Sequence, residues 1–291
     1  MQMLSSIVKK KTKRYLKRHF RGFEGKTAIV TGASGAIGKQ IASSFLELGM
    51  TVILPALPNE CDPLRAELST GYDIKKIITY PIDLTNLDSI KSFVAQIQDK
   101  NINYLVNNAG VIGKLDYLVN FRGTLELTLA LLPILNKSKD SRVVFQSSFS
   151  YRMAHIDWKE PNKFWSDKKL KSYAVTKRLV NLSIVALKAD YMKKYPNVKI
   201  AIAHPGAVAS DINGKATKLQ RAISKPFLHT AETAALSAVY AAFKPVPDKK
   251  LVGPRGFGIW GRPKKRPLDK RLFNPSEQER ISKLLHDEKL I

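Results

Sequence analysis

A single cysteine, Cys61, stands in the 291 residues, so no intramolecular disulfide can brace the fold and a stapled secreted scaffold is excluded. Apolar runs are short as well. The stretch 127–135 falls well below the roughly 18 residues that cross a bilayer. Acid is scarce: 24 Asp and Glu face 49 Lys and Arg, for a net charge of +25. No acidic residue precedes Glu24. His, Cys and carboxylates nowhere cluster at ligand spacing, so no metal is expected. What is present is ordinary. Hydrophobic residues make up 44% and charged residues 25%, a balance that excludes wholesale disorder and collagen-like structure. Three Trp and twelve Phe suffice for a core.

Positive charge gathers at both ends. Residues 9–21 read KKKTKRYLKRHFR, and residues 255–271 carry a second basic stretch, RPKKRPLDKR. Such runs commonly form solvated faces. The first has more pattern. Leu4, Val8, Leu16 and Phe20 recur at multiples of four, so a helix sets them on one side, interrupted by Thr12. With lysines and arginines around the rest, residues 4–20 suit an anionic membrane surface. No apolar signal segment is visible, and a Lys-rich, Ser-poor start fits a mitochondrial presequence poorly. A cytoplasmic location, peripheral at a membrane, is the expectation. Nucleic acid would suit the charge, but no helix-turn-helix, zinc-finger or RNA-recognition pattern accompanies it.

From residue 26 the chain alternates. Strands are predicted at 26–30, 51–54, 75–82, 104–106, 142–145 and 198–203. Helices are predicted at 36–48, 87–97, 115–135, 173–192 and 230–243. Alternation of this length implies right-handed crossovers and a parallel sheet covered on both faces. The fold class is a doubly wound α/β sheet, the Rossmann fold, over residues 25–245. Residues 1–24 read as a basic extension and 246–291 as a basic tail with a terminal helix.

Between the first strand and helix lie Gly32, Ala33, Ser34, Gly35, Ala36, Ile37 and Gly38. Glycines there permit a tight turn and close approach of a pyrophosphate, and the helix N-terminus offers free N–H groups to it. Farther on, Tyr173 and Lys177 stand one helical turn apart on one face. A phenol with a pKa of about 10 is a poor base at neutral pH, and a neighbouring ammonium draws it toward useful acid–base range. The pair follows the predicted fifth strand and its Ser-rich end, Ser147-Ser148.

At these residues the chain resembles a short-chain dehydrogenase/reductase, over about 24–262. The resemblance implies that the turn 31–38 binds the cofactor through Gly32, Ser34, Gly35, Ala36, Ile37 and Gly38. It implies that Asp83, with Leu84 beside it, holds the adenine. Asn107, Asn108, Ala109 and Gly110 are similar to the family's fourth-strand signature. Ser148, Tyr173 and Lys177 match the catalytic triad and Asn120 the fourth member, anchoring a water that links Lys177 to solvent. Pro205, Gly206 and Val208 match the loop that caps the nicotinamide. The implied activity is hydride transfer between NAD(P) and a small-molecule alcohol or carbonyl. An insert carrying Ala154-His155-Ile156-Asp157-Trp158 and the segment Trp260-Gly-Arg-Pro are similar to the retinol-dehydrogenase-like branch. Homo-oligomers paired through the helices around Asn120 and Tyr173 are a family-level expectation, and substrate choice falls to residues 149–172 and 210–229.

Three departures from the family pattern stand out. Ala36 replaces a usual glycine, which gives Gly32, Gly35 and Gly38 the spacing of the extended, epimerase-containing branch. Only nine residues separate Gly110 from Asn120, fewer than is usual in the family, and the alternative for Asn120 is a helix-capping or surface amide. The second strand ends Leu54-Pro-Ala-Leu57-Pro with neither the acid of NAD users nor the arginine of NADP users; without an acid to repel a 2′-phosphate, the sequence leans to NADP. The competing functions are a non-enzymatic dinucleotide sensor or scaffold and a nucleotide-sugar epimerase. His204 reads as structural.

Overall fold

The computed structural model describes residues 2–160, 169–207 and 230–291, with side chains at residue 8 and from residue 10 onward. Among these residues one sheet of eight strands runs in the order β3-β2-β1-β4-β5-β6-β7-β8. The strands are β1 (Thr27–Val30), β2 (Thr51–Ala56), β3 (Ile77–Pro81), β4 (Tyr104–Asn107), β5 (Ser141–Gln146), β6 (Val198–Ala203), β7 (Lys250–Gly256) and β8 (Trp260–Pro267). All neighbouring pairs are parallel except β7 with β8. The order reverses direction between β1 and β4, which opens a crevice at their carboxyl ends. The doubly wound expectation is met.

Each face of the sheet carries its own core. One lies under α1 (Gln2–His19), α2 (Ala36–Glu47), α3 (Cys61–Ser69) and α7 (Ala231–Phe243). The other lies under α4 (Leu87–Ile97), α5 (Thr124–Asn136), α6 (Lys169–Lys194) and α8 (Pro275–Asp287). The strands β1, β4 and β5 are buried almost throughout, as strands covered on both faces must be. Every residue from 174 to 184 of α6 is buried within the single chain, because α8 packs along it with Ile281, Leu284 and Leu285.

Three expectations need correction. Residues 250–267 are no tail. They form the strand pair that completes the sheet, with the consecutive Leu251 and Val252 both buried, and the boundary at 245 falls between members of one sheet. Their charge hid a strand pair whose outer partner is an edge and therefore polar. The N-terminal stripe also divides. Leu16 and Phe20 are buried against the core, where Phe20 meets Phe243 at 5.4 Å, so they are withdrawn from any membrane. Burial of two such side chains contributes roughly 1.5–3 kcal/mol each. Finally, the helix predicted over 115–135 opens with a wide π turn, Tyr117–Gly123, before α5 begins. A Cβ on Gly123 would lie 1.9 Å from the Leu84 carbonyl, so the turn presses on the neighbouring strand end as only glycine allows. The 20 residues from Tyr117 to Asn136 are apolar and long enough to cross a membrane by composition, but 61% of the most apolar window is buried in the protein.

Candidate active site

Thr31 ends β1 and organises the crevice. Its hydroxyl accepts the backbone N–H groups of Asn108 and Ala109, both at 3.0 Å. In return the Asn108 side-chain amide donates to the carbonyls of Thr31 and Gly32, at 3.0 and 3.2 Å. The ends of β1 and β4 are thereby tied into one frame. Gly32 takes φ +65°, and a Cβ on it would stand 2.7 Å from the Ala109 Cα. A Cβ on Gly38 would stand 2.2 Å from the Gly32 carbonyl oxygen. Both glycines are fixed by the fold itself. Gly35 differs: among the described residues a Cβ on it would meet only the Gly32 oxygen, at 3.4 Å, an ordinary contact. Its outer side is open at the N-terminus of α2, the position where backbone N–H groups receive a phosphate. That open side fits a pyrophosphate, and Ala36 stands on α2 without closing it.

Ser34 shows a contact that the sequence did not disclose. Its hydroxyl donates to the Glu60 carboxylate at 2.9 Å. After β2, the 3-10 turn Pro58–Glu60 brings the chain back toward the glycine turn. This places a carboxylate beside the glycine turn, at a residue that strand-end patterning could not find. Lys39, one turn into α2, is paired with Glu67 at 2.6 Å.

Asp83 is half-buried after β3 and accepts from the backbone and hydroxyl of Thr85 at 2.8 and 2.7 Å. Leu84 is buried beside it.

The catalytic candidates meet across the crevice. Ser148 follows β5, and its hydroxyl accepts from that of Ser150 at 2.9 Å. Lys177 is buried; its ammonium donates to the Gln146 carbonyl at 2.8 Å and lies 5.6 Å from the centre of the Tyr173 ring. Burial lowers Lys177 to about 8. Burial also raises the Tyr173 phenol above its ordinary value, with the Ser148 hydrogen bond pulling the other way. Desolvation thus outweighs the Ser148 hydrogen bond at the phenol. Ile37, Asn108, Ser148, Tyr173, Lys177 and Gly206 line one cavity of about 790 Å³.

Asn120 sits in the π turn, fully buried. Its amide accepts from the Val111 N–H at 2.8 Å and donates to the Val111 carbonyl at 2.9 Å and to the Thr176 hydroxyl at 3.2 Å. The short stretch after Gly110 therefore closes directly onto the asparagine. A Cβ on Gly110 would be 3.3 Å from the Asn120 amide oxygen and 3.4 Å from the Lys177 nitrogen. Beyond β6, Pro205 and Gly206 line the cavity, Gly206 at φ +82°. Val208 lies outside the described residues, as do Ser210 and the rest of that loop. His204 is buried against Gly253 and accepts from the Gly206 N–H at 3.3 Å, which holds the loop.

A pyrophosphate-ready turn, an apolar crevice and a Ser–Tyr–Lys set on one wall define a dinucleotide-dependent oxidoreductase. Comparison with known proteins agrees. Residues 26–221 match the short chain dehydrogenase family model. The chain belongs to the short-chain dehydrogenases, in the retinol-dehydrogenase-like branch, and is an NAD(P)-dependent oxidoreductase of alcohols and carbonyls. It is 28% identical to mouse (Mus musculus) retinol dehydrogenase 14, over 80% of this chain and 78% of that one. It is 30% identical to mouse polyprenol dehydrogenase, over 76% and 72%. An uncharacterized protein from Mycobacterium Paratuberculosis shares the fold at TM-score 0.75, 22% identity and 93% and 96% coverage. A short chain dehydrogenase/reductase from Burkholderia phymatum, solved with NAD, shares it at TM-score 0.58, 19% identity and 76% and 87% coverage.

Proposed function

We propose that this enzyme works with NAD in preference to NADP, using Tyr173 as its proton donor and acceptor. The observation that carries the cofactor choice is the Ser34–Glu60 contact, which stations a carboxylate beside the glycine turn. An acid there accepts hydroxyls of the adenosine ribose and repels a 2′-phosphate. Lys39, the cation that could have offset it, is held by Glu67. This reverses the lean to NADP drawn from the strand end alone.

When bound, the nicotinamide supplies or takes up the hydride. The chain's own residues do the rest. Gly35 and the N-terminus of α2 seat the pyrophosphate, and Asp83 serves the adenine. Pro205 and Gly206, which line the cavity, serve the nicotinamide side. Tyr173, a phenol protonated at neutral pH, gives its proton to a carbonyl oxygen in the reductive direction. Ser148 donates to the same oxygen and stabilises its developing charge. Lys177, anchored on the Gln146 carbonyl, favours the phenolate left behind and holds the ribose hydroxyls. Asn120 has its amide committed to Val111 and Thr176, so its role is to fix the cavity wall beside Lys177.

Burial of residues 174–184 of α6 within one chain supports action as a monomer, since α8 packs against that helix. A lipophilic alcohol or carbonyl, as the names of the retinol and polyprenol relatives suggest, is the substrate class. Fluorescence titration tests the cofactor claim. NADH binds more tightly than NADPH, and Glu60→Gln narrows the gap by improving NADPH binding. Tighter NADPH binding by the unaltered chain would refute the claim.

A further inference from the structure

The two basic segments, some 240 residues apart, are neighbours in the fold. Residues 249–268 contain seven cations and no acid, as residues 1–23 contain none. The Arg262 guanidinium on β8 lies over the Tyr15 ring of α1 at 5.7 Å, which joins the two segments into one surface. Along β8 the exposed positions alternate Trp260, Arg262, Lys264, so one aromatic and two cations share an outward row.

The turn between β7 and β8 ends that row in an apolar point. Phe257 is 77% exposed and Trp260 41%, with ring centres 6.0 Å apart. Phe257 also takes φ +48°, an uncommon conformation for a bulky side chain. A shallow cleft of about 720 Å³ beside it is lined by Arg255, Arg262 and Arg266 and by no carboxylate among the described residues. The turn belongs to the mouth of the active site. The Ile259 carbonyl accepts from the Ala207 N–H at 3.1 Å, and a Cβ on Gly258 would touch the Phe149 ring at 3.7 Å. Phe149, Met153 and Leu170 continue the exposed apolar rim, the last two lining the catalytic cavity.

We propose that the β7–β8 turn, with the cations of β8 and the adjoining part of α1, docks on an anionic lipid bilayer and sets the mouth of the catalytic cavity against it. Charge complementarity selects an anionic partner. The protruding Phe257 and Trp260 and the apolar rim select a bilayer interface over a polyanion, which has no apolar layer to receive them. The surface is distinct from the stripe expected at residues 4–20, two of whose members face the core.

The test is sedimentation of the full chain with phosphatidylcholine vesicles, with and without phosphatidylserine. Binding is expected only with phosphatidylserine. Phe257→Gly, which relieves the positive φ, and Arg255→Gln with Lys264→Gln each weaken it more than about tenfold. NADH affinity stays unchanged in both, which separates docking from folding and from the cofactor reading. Lys11→Gln with Arg14→Gln causes a smaller loss. The proposal is overturned if the parent ignores phosphatidylserine vesicles, or if the hairpin variants bind them as the parent does. It is equally overturned if the parent binds a single-stranded RNA instead and the hairpin variants lose that binding.

Discussion

The catalytic crevice and the β7–β8 turn adjoin at the carboxyl edge of the sheet, yet they are built by opposite rules. In the crevice the groups that frame the site are paired inside the chain: Thr31 with Asn108 and Ala109, Lys177 with Gln146, Asn120 with Val111. At the turn, Phe257 and Trp260 face outward and the neighbouring cations have few acids to meet. Tight internal pairing holds reacting groups still, which is what proton transfer requires. An outward apolar point ringed by charge has its complement elsewhere. The contrast separates what the enzyme does from where it does it.

The sharpest break in that contrast is Tyr173→Phe, which removes the proton donor while leaving the ring in place. Turnover is expected to fall about 10²–10⁴-fold, with NADH affinity unchanged by titration. Next is the pair Gly38→Ala and Gly35→Ala. The first drives a methyl into the Gly32 carbonyl and costs about 1–3 kcal/mol or more of stability in thermal unfolding. The second leaves the fold intact and weakens NADH binding. Leu16→Ala tests whether α1 belongs to the core, with an expected cost of about 2–5 kcal/mol.

Lys177→Met sharpens the crevice side through pH. Lys177 falls to about 8 in the fold from an ordinary 10.5. Below pH 8 the folded and unfolded chains both carry the proton, so the whole cost of burying the ammonium is present. Between 8 and 10.5 the unfolded chain binds more protons, so this group's contribution to stability improves as pH rises. Lys177→Met is therefore the more stable chain at pH 7 without cofactor, and its advantage shrinks across that window in denaturant titrations. The smallest effect belongs to Phe257→Gly, whose stability stays within about 1 kcal/mol of the parent.

Much of the crevice could be read from sequence because its residues are locked to neighbouring strand ends. A glycine turn after β1 and a Tyr–Lys pair on one helix face are local patterns. The cores on both faces of the sheet follow from the same alternation. What escaped depends on distance along the chain. Glu60 reaches Ser34 only because the chain turns back at Pro58. The strands 250–267 were hidden by edge charge, and the closeness of Tyr15 to Arg262 exists only in the fold. The π turn at Asn120 sets Gly123 against the Leu84 carbonyl, and helical periodicity carries no trace of that.

The most direct test of the central claim follows NADH oxidation by the parent and by Tyr173→Phe across a panel of lipophilic aldehydes and ketones, alongside NADH binding by both. The parent is expected to reduce members of the panel, and the variant to bind NADH equally while losing at least about a hundredfold in rate. Equal rates in the two proteins, or NADH binding by the parent with no reduction anywhere in the panel, would contradict it.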